Sequence, residues 1–163
     1  FTLNTVTETV LGNLGFRERG EIIWDKGASV GTSTAWGSFQ SPSNPCLREV
    51  HEYIQVFQKG EPRLQTKGRS DLTADEFTEW TKSVWRFQTA SAKKVGHPAP
   101  FPEELPFRLI KLYSWVGAVV LDPFCGSGTT CKVARALGRK WVGIDLLPEY
   151  VELARKRVKE VMS

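Results

Sequence analysis

The chain has 163 residues, 40% of them hydrophobic and 25% charged, with 14 Gly, 9 Pro, 3 Cys and 6 Trp. That apolar share excludes a disordered or low-complexity chain. Three cysteines are too few, and odd in number, for a disulfide scaffold, and no run approaches the roughly 18 to 20 apolar residues of a membrane helix. A net charge of +4 and a pI near 9.1 fit a polyanionic partner without requiring one. The opening Phe-Thr-Leu-Asn-Thr lacks the basic and apolar segments of a signal peptide, so a reducing, cytoplasmic setting is expected. The length suits one domain with a proper core.

In chain order, Glu21 to Trp24 and Glu52 to Gln58 are strand candidates, separated by a Gly/Ser/Thr/Pro-rich loop from Gly27 to Pro45. Residues from about Gly60 to Gly96 are polar, with one short helix candidate at Ala74 to Lys82. Phe101 to Ser114 has a helical apolar side in Leu105, Leu109, Ile110 and Leu112, with Pro106 costly near the end of the first turn. Ala118-Val119-Val120-Leu121 has the continuous apolar character of a parallel strand buried on both faces. The turn Gly126-Ser127-Gly128 ends it, a helix runs from Thr129 to Leu137, and Trp141-Val142-Gly143-Ile144 is a second short strand. Pro148 opens a helix whose apolar face carries Tyr150, Val151, Ala154, Val158 and Val161, with acids early and bases late to match its dipole. This order predicts the βαβ unit of a doubly wound sheet.

A strand that ends in a glycine turn and feeds a helix exposes backbone N–H groups to a ligand. Three ligand classes use that geometry. A phosphate loop needs Lys-Ser/Thr after the glycines, where Thr129-Thr130 stands. A dinucleotide fingerprint needs a third small residue three positions beyond Gly128, where Cys131 stands. The third class, S-adenosylmethionine, brings a ribose and a charged amino-acid end without phosphate, and Asp145, at the end of the second strand, is placed to receive ribose hydroxyls.

Asp122-Pro123-Phe124-Cys125-Gly126-Ser127-Gly128-Thr129-Thr130 resembles the cofactor motif of amino-group DNA methyltransferases. His97-Pro98-Ala99-Pro100-Phe101-Pro102-Glu103-Glu104-Leu105-Pro106 resembles the motif that precedes it in the circularly permuted, beta-type members. Gly143-Ile144-Asp145-Leu146 and Glu149-Tyr150-Val151 also fit, and Gly20 to Lys26 and Val50 to Ile54 resemble the family's sheet segments. The resemblance implies an α/β, Rossmann-like S-adenosylmethionine-dependent methyltransferase fold, with a mixed, mostly parallel sheet and helices on both faces. It divides the chain into sheet segments of the catalytic half (1–59), a target-recognition region (60–96) and a cofactor half (97–163). Asp122, Pro123, Phe124, Gly126 and Gly128 would line the cofactor, Thr129 and Thr130 would lie near its carboxylate, and Asp145 would hold the ribose. His97, Pro98 and Phe101 would close over the methionine end. The reaction implied is methyl transfer to cytosine N4 or adenine N6 of a base flipped from double-stranded DNA, without a metal.

The family's catalytic motif, an Asp-, Ser- or Asn-Pro-Pro followed by an aromatic residue, has no counterpart, because the chain contains no Pro-Pro pair. The catalytic residues are therefore unassigned, and the chain is expected to be the C-terminal portion of such an enzyme. A homodimer, or a second chain supplying the motif, is one expectation; a non-catalytic cofactor- and DNA-binding module is the alternative, and a small-molecule or RNA methyltransferase a third reading. Lys67, Arg69, Lys82 and Arg86 are the candidate phosphate contacts, with Trp36, in its polar loop, as a candidate for touching DNA. Cys125 and Cys131 are expected to be small buried side chains, and the remaining tryptophans core.

Overall fold

The computed structural model describes residues 3–27, 39–61, 67–90 and 101–162. The chain divides into two compact units, one of residues 1–63 and 82–88, the other of residues 64–81 and 89–163.

In the first unit, helix α1 (Leu3–Asn13) leads into strand β1 (Phe16–Asp25), which pairs antiparallel with β2 (His51–Lys59) and parallel with the short β3 (Val84–Arg86), in the order β2-β1-β3. Both predicted strands are present and run longer than the apolar pattern indicated; α1 and β3 are additions. The core of this sheet comes from the second half of β1 and from β3. Ile22, Trp24 and Trp85 are buried, Trp24 stacks on Phe87 with ring centroids 5.1 Å apart, and its indole N–H donates to the Phe87 carbonyl at 2.9 Å. An indole satisfied in this way loses nothing by burial.

The second unit begins with α2 (Ala74–Trp80). Thr73 accepts from the Glu76 N–H while the Glu76 carboxylate accepts from the Thr73 N–H, a reciprocal cap that starts the helix sharply. Helix α3 (Glu104–Tyr113) follows, then β4 (Val119–Asp122), α4 (Thr129–Ala136), β5 (Lys140–Gly143), α5 (Pro148–Lys159) and a 3-10 turn at Glu160–Met162. Strands β4 and β5 are parallel, with Asp122 opposite Gly143, as the strand-helix-strand pattern predicts, but β4 is not buried on both faces, since Val119 and Leu121 on one of them are 62% and 58% exposed. Pro106 is the third residue of α3, where a backbone N–H has no intrahelical acceptor, so the ring removes no bond. Pro148 opens α5 for the same reason.

Helix α4 is packed on two sides. Cys131 joins Cys125, Ala154 and Val158 in one buried cluster, and Val133 and Ala134 join Ile110 in another, with Trp141 packed against both. Residues 67–81 are fastened to the same body by charged contacts. The Arg139 guanidinium, fully buried, donates to both Asp71 oxygens at 2.5 and 2.8 Å and to the Ser114 and Leu137 carbonyls at 2.8 Å. The Lys111 ammonium, 8% exposed, donates to both Glu76 oxygens at 2.5 and 2.6 Å and lies over the Trp80 ring. Gly68 lies where a Cβ would stand 2.6 Å from that of Trp115.

The hydrogen bond from Arg139 holds the Asp71 carboxyl below its ordinary value of 3.8. A carboxylate whose folded pKa is depressed adds stability above its unfolded value and loses it as the pH falls through the folded one. Removing Asp71 strands a buried cation, at a cost of about 3 kcal/mol. Urea unfolding of Asp71→Asn should show a loss of that order at pH 7, and the gap from wild type should shrink as the pH falls below 3.8.

Candidate functional site

The site lies at the carboxyl ends of β4 and β5, where open α/β sheets bind ligands. Asp122 ends β4, and its Oδ1 accepts from the Phe124 N–H at 3.1 Å, turning the chain off the strand. The turn is then tied to β5: the Cys125 N–H donates to the Ile144 carbonyl at 2.8 Å, and the Ile144 N–H to the Asp122 carbonyl at 2.9 Å. Asp145 completes the closure. Its Oδ2 accepts from the Gly126 N–H at 2.8 Å and its Oδ1 from the Leu147 N–H at 3.0 Å. One carboxylate thus fixes both the glycine turn and the start of α5, and each of its oxygens has further lone-pair capacity for a ligand.

Two glycines make this packing feasible. Gly128, the N-cap of α4, adopts φ +76°, and a Cβ there would stand 2.6 Å from the Ala154 Cβ and 2.8 Å from its Cα. Gly143 has no such φ, but a Cβ there would stand 2.7 Å from the Cys131 Sγ. Phe124 is 88% exposed at the mouth of the turn, a large apolar ring left in water and open to stacking. Pro123 is exposed beside it, whereas Gly126, Gly128 and Thr129 are buried.

Asp122, Pro123, Phe124, Gly126, Gly128, Thr129 and Asp145 lie together at this turn. Phe101 and Thr130 line an apolar cavity of about 340 Å³ together with Leu105, Leu109, Tyr113 and Val119. His97, Pro98 and Trp36 lie outside the described residues. Lys67 and Arg69 are exposed on the unit that carries the turn, and Lys82 and Arg86 are exposed on the other. Arg86 is already engaged, donating to Asp25 at 3.1 Å.

The two cysteines of the turn are buried and unpaired by disulfide. Burial pushes the Cys125 thiol up, with the negative charges of Asp122 and Asp145 acting in the same sense, and pushes Cys131 up to about 12. Both stay protonated near neutrality and fill space. Three side chains around the turn were not singled out from the sequence: Glu103, Lys132 and above all Arg157. Position 157 lies three residues beyond Ala154, on the stripe that buries Ala154 and Val158, and that spacing was the available signal.

The family model described as DNA methylase matches residues 2–156. Type II methyltransferase M.MthZI of Methanothermobacter thermautotrophicus is 34% identical over 155 residues, covering 87% of this chain and 43% of that protein. Type II methyltransferase M.MjaI of Methanocaldococcus jannaschii is 32% identical over 163 residues, covering 89% of this chain and 52% of that protein. The chain therefore spans about half the length of these curated relatives. Among solved structures, TTHA0409 of Thermus thermophilus, named as a candidate DNA modification methylase, aligns with a TM-score of 0.79 at 31% identity, over 98% of this chain and 63% of that one. Its complex with S-adenosyl-L-methionine aligns with a TM-score of 0.77.

Two outcomes are expected. Gly143→Ala should lower stability by about 1 to 3 kcal/mol through overpacking, and adding Cys131→Ala should recover part of that loss, giving a non-additive cycle in urea unfolding. In native protein at pH 8, a thiol reagent followed by mass spectrometry should label the exposed Cys46 and leave Cys125 and Cys131 unmodified until the chain unfolds.

Proposed function

Because the chain belongs to the DNA methylase family, we propose that it forms the cofactor-binding and DNA-docking portion of a site-specific DNA amino-methyltransferase. The reaction proposed is transfer of a methyl group from S-adenosylmethionine to cytosine N4 or adenine N6 of a base flipped out of double-stranded DNA. The observation that carries this reading is the glycine turn closed by the Asp145 carboxylate onto the Gly126 N–H.

The residues present fit the cofactor. Gly126 presents backbone without a side chain at the turn, so a ligand can approach it closely, while Gly128 admits Ala154 of α5. Asp145 can accept ribose hydroxyls on oxygens already oriented by the Gly126 and Leu147 N–H groups. Phe124 would offer its exposed ring to the adenine, and Asp122 would supply negative charge for the cationic sulfonium. The raised thiol of Cys131 keeps the floor of the turn neutral. When bound, S-adenosylmethionine supplies an electrophilic methyl group on sulfur. Thr129, Thr130, Phe101, His97 and Pro98 complete the proposed set around its amino-acid end.

The Pro-Pro motif that grips the target amino group in this family does not occur in these 163 residues. The proposal therefore gives that role to another part of the protein or to a partner chain. Lys67, Arg69, Lys82 and Arg86 are proposed phosphate contacts, which position a duplex without reading it; for Arg86 this means exchanging its Asp25 partner for phosphate. No helix among the described residues is long and apolar enough to cross a membrane, and the proposed place of action is the cytoplasm.

Hydrogen bonds to a charged group contribute about 1.5 to 3 kcal/mol each. Asp145→Ala should therefore weaken binding of S-adenosylmethionine at least tenfold by calorimetry. Methylation of DNA by the full protein should yield N4-methylcytosine or N6-methyladenine on nucleoside analysis; 5-methylcytosine as product would overturn the assignment.

A further inference from the structure

The sequence places Arg157 among several bases late in α5, where they match the helix dipole. In the fold its side chain is only 14% exposed and is directed into the glycine turn. One nitrogen, Nη1, donates to the Ser127 carbonyl at 2.7 Å, to the Ser127 Oγ at 2.8 Å and to the Thr129 Oγ1 at 3.2 Å. Ser127 and Thr129 are themselves 4% and 3% exposed. These three acceptors belong to the turn and to the first residue of α4, so the guanidinium grips the turn from behind.

The charge is as unusual as the contacts. The N-terminal end of a helix carries positive potential and ordinarily attracts an acid. Here a cation stands against the first residue of α4. The carboxylate recorded near it is Glu103, whose Oε1 lies 3.8 Å from Arg157 Nη2 and accepts from the Lys132 Nζ at 2.6 Å. Two cations and a helix end thus face one half-exposed carboxylate. At the strand ends, by contrast, Asp122 and Asp145 supply negative charge. The site is bipolar, with its excess positive charge at the turn.

We infer that Arg157 is a positioning residue that fixes the Ser127–Thr129 turn and makes it the receptor for the carboxylate end of the ligand. This rests on the S-adenosylmethionine reading above. That ligand has one carboxylate and two cationic groups, so a bipolar site orients it, with the carboxylate towards the turn and the sulfonium and ribose towards the two aspartates. Glu103 extends the effect, because it stands two residues beyond Phe101 and joins that segment to Lys132 of α4 and Arg157 of α5.

The test compares two ligands by calorimetry in the full protein: S-adenosylhomocysteine, which keeps the amino-acid end, and 5′-methylthioadenosine, which lacks it. Arg157→Ala should weaken the first tenfold or more and the second less than threefold, while Arg157→Lys, which keeps the charge, should stay within threefold of wild type for both. An equal loss for both ligands would make Arg157 a structural brace alone, and no loss for either would overturn its role altogether. If Arg157→Ala does not fold, Arg157→Gln retains a donor for Ser127 without the charge. It should show the same selective loss, and wild-type affinity for S-adenosylhomocysteine in that variant would refute the inference. A wild type that binds neither ligand would overturn the cofactor reading itself, and this inference with it.

Discussion

The architecture of the site depends on how closely α5 lies against the glycine turn. At Gly128 the approach leaves no room for a single added carbon, since its Cβ would stand 2.6 Å from that of Ala154. This contact brings the next turn of α5 into position, so that Arg157 reaches Ser127 and Thr129 and Val158 enters the cluster with Cys125 and Cys131. The same economy of side chains recurs at Gly143, opposite Cys131. Sulfur and methyl groups pack against the turn, and its own N–H groups are engaged: Cys125 donates to the Ile144 carbonyl, Gly126 to Asp145 and Gly128 to the Cys125 carbonyl.

The second constraint is electrostatic and joins residues 67–81 to the unit that holds the turn. A fully buried Arg139 engages Asp71, and a buried Lys111 engages Glu76. Buried ion pairs of this kind are weak evidence for net stability but strong determinants of which segments belong together, because separating the partners strands a charge. Residues 82–88, only a few positions later, group instead with β1 and β2. The segment expected to meet DNA is thus shared between two bodies, and Lys67 and Arg69 are anchored next to a different core from Lys82 and Arg86.

What could be read in advance follows from the range of the interactions concerned. The β4-α4-β5-α5 order, the cap at Gly128 and the buried cysteines come from local pattern, in which neighbours in sequence are neighbours in space. Helix α1 was not legible, because its Leu3, Val6 and Val10 are exposed and its threonines are indifferent helix formers. Strand β3, three residues long, is defined by pairing with β1 more than sixty positions away. Arg139 pairs with Asp71, 68 residues away, and Arg157 bonds Thr129, 28 residues away, beyond any periodicity.

That last point changes how the net charge of +4 is understood. Counted in the sequence, the bases suggest a surface for a polyanion. In the fold, several of them are turned inward: Arg139 on Asp71, Lys111 on Glu76, Arg157 on the glycine turn, Lys132 and Arg108 on the glutamates around the start of α3. Their positive charge serves internal order and, at Arg157, the polarity of one small site. Attraction for a phosphate backbone depends on charges that can exchange counterions for phosphates, and a guanidinium with its side chain fully buried cannot do so. The overall excess of bases is thus a poor guide to a nucleic-acid surface in this chain.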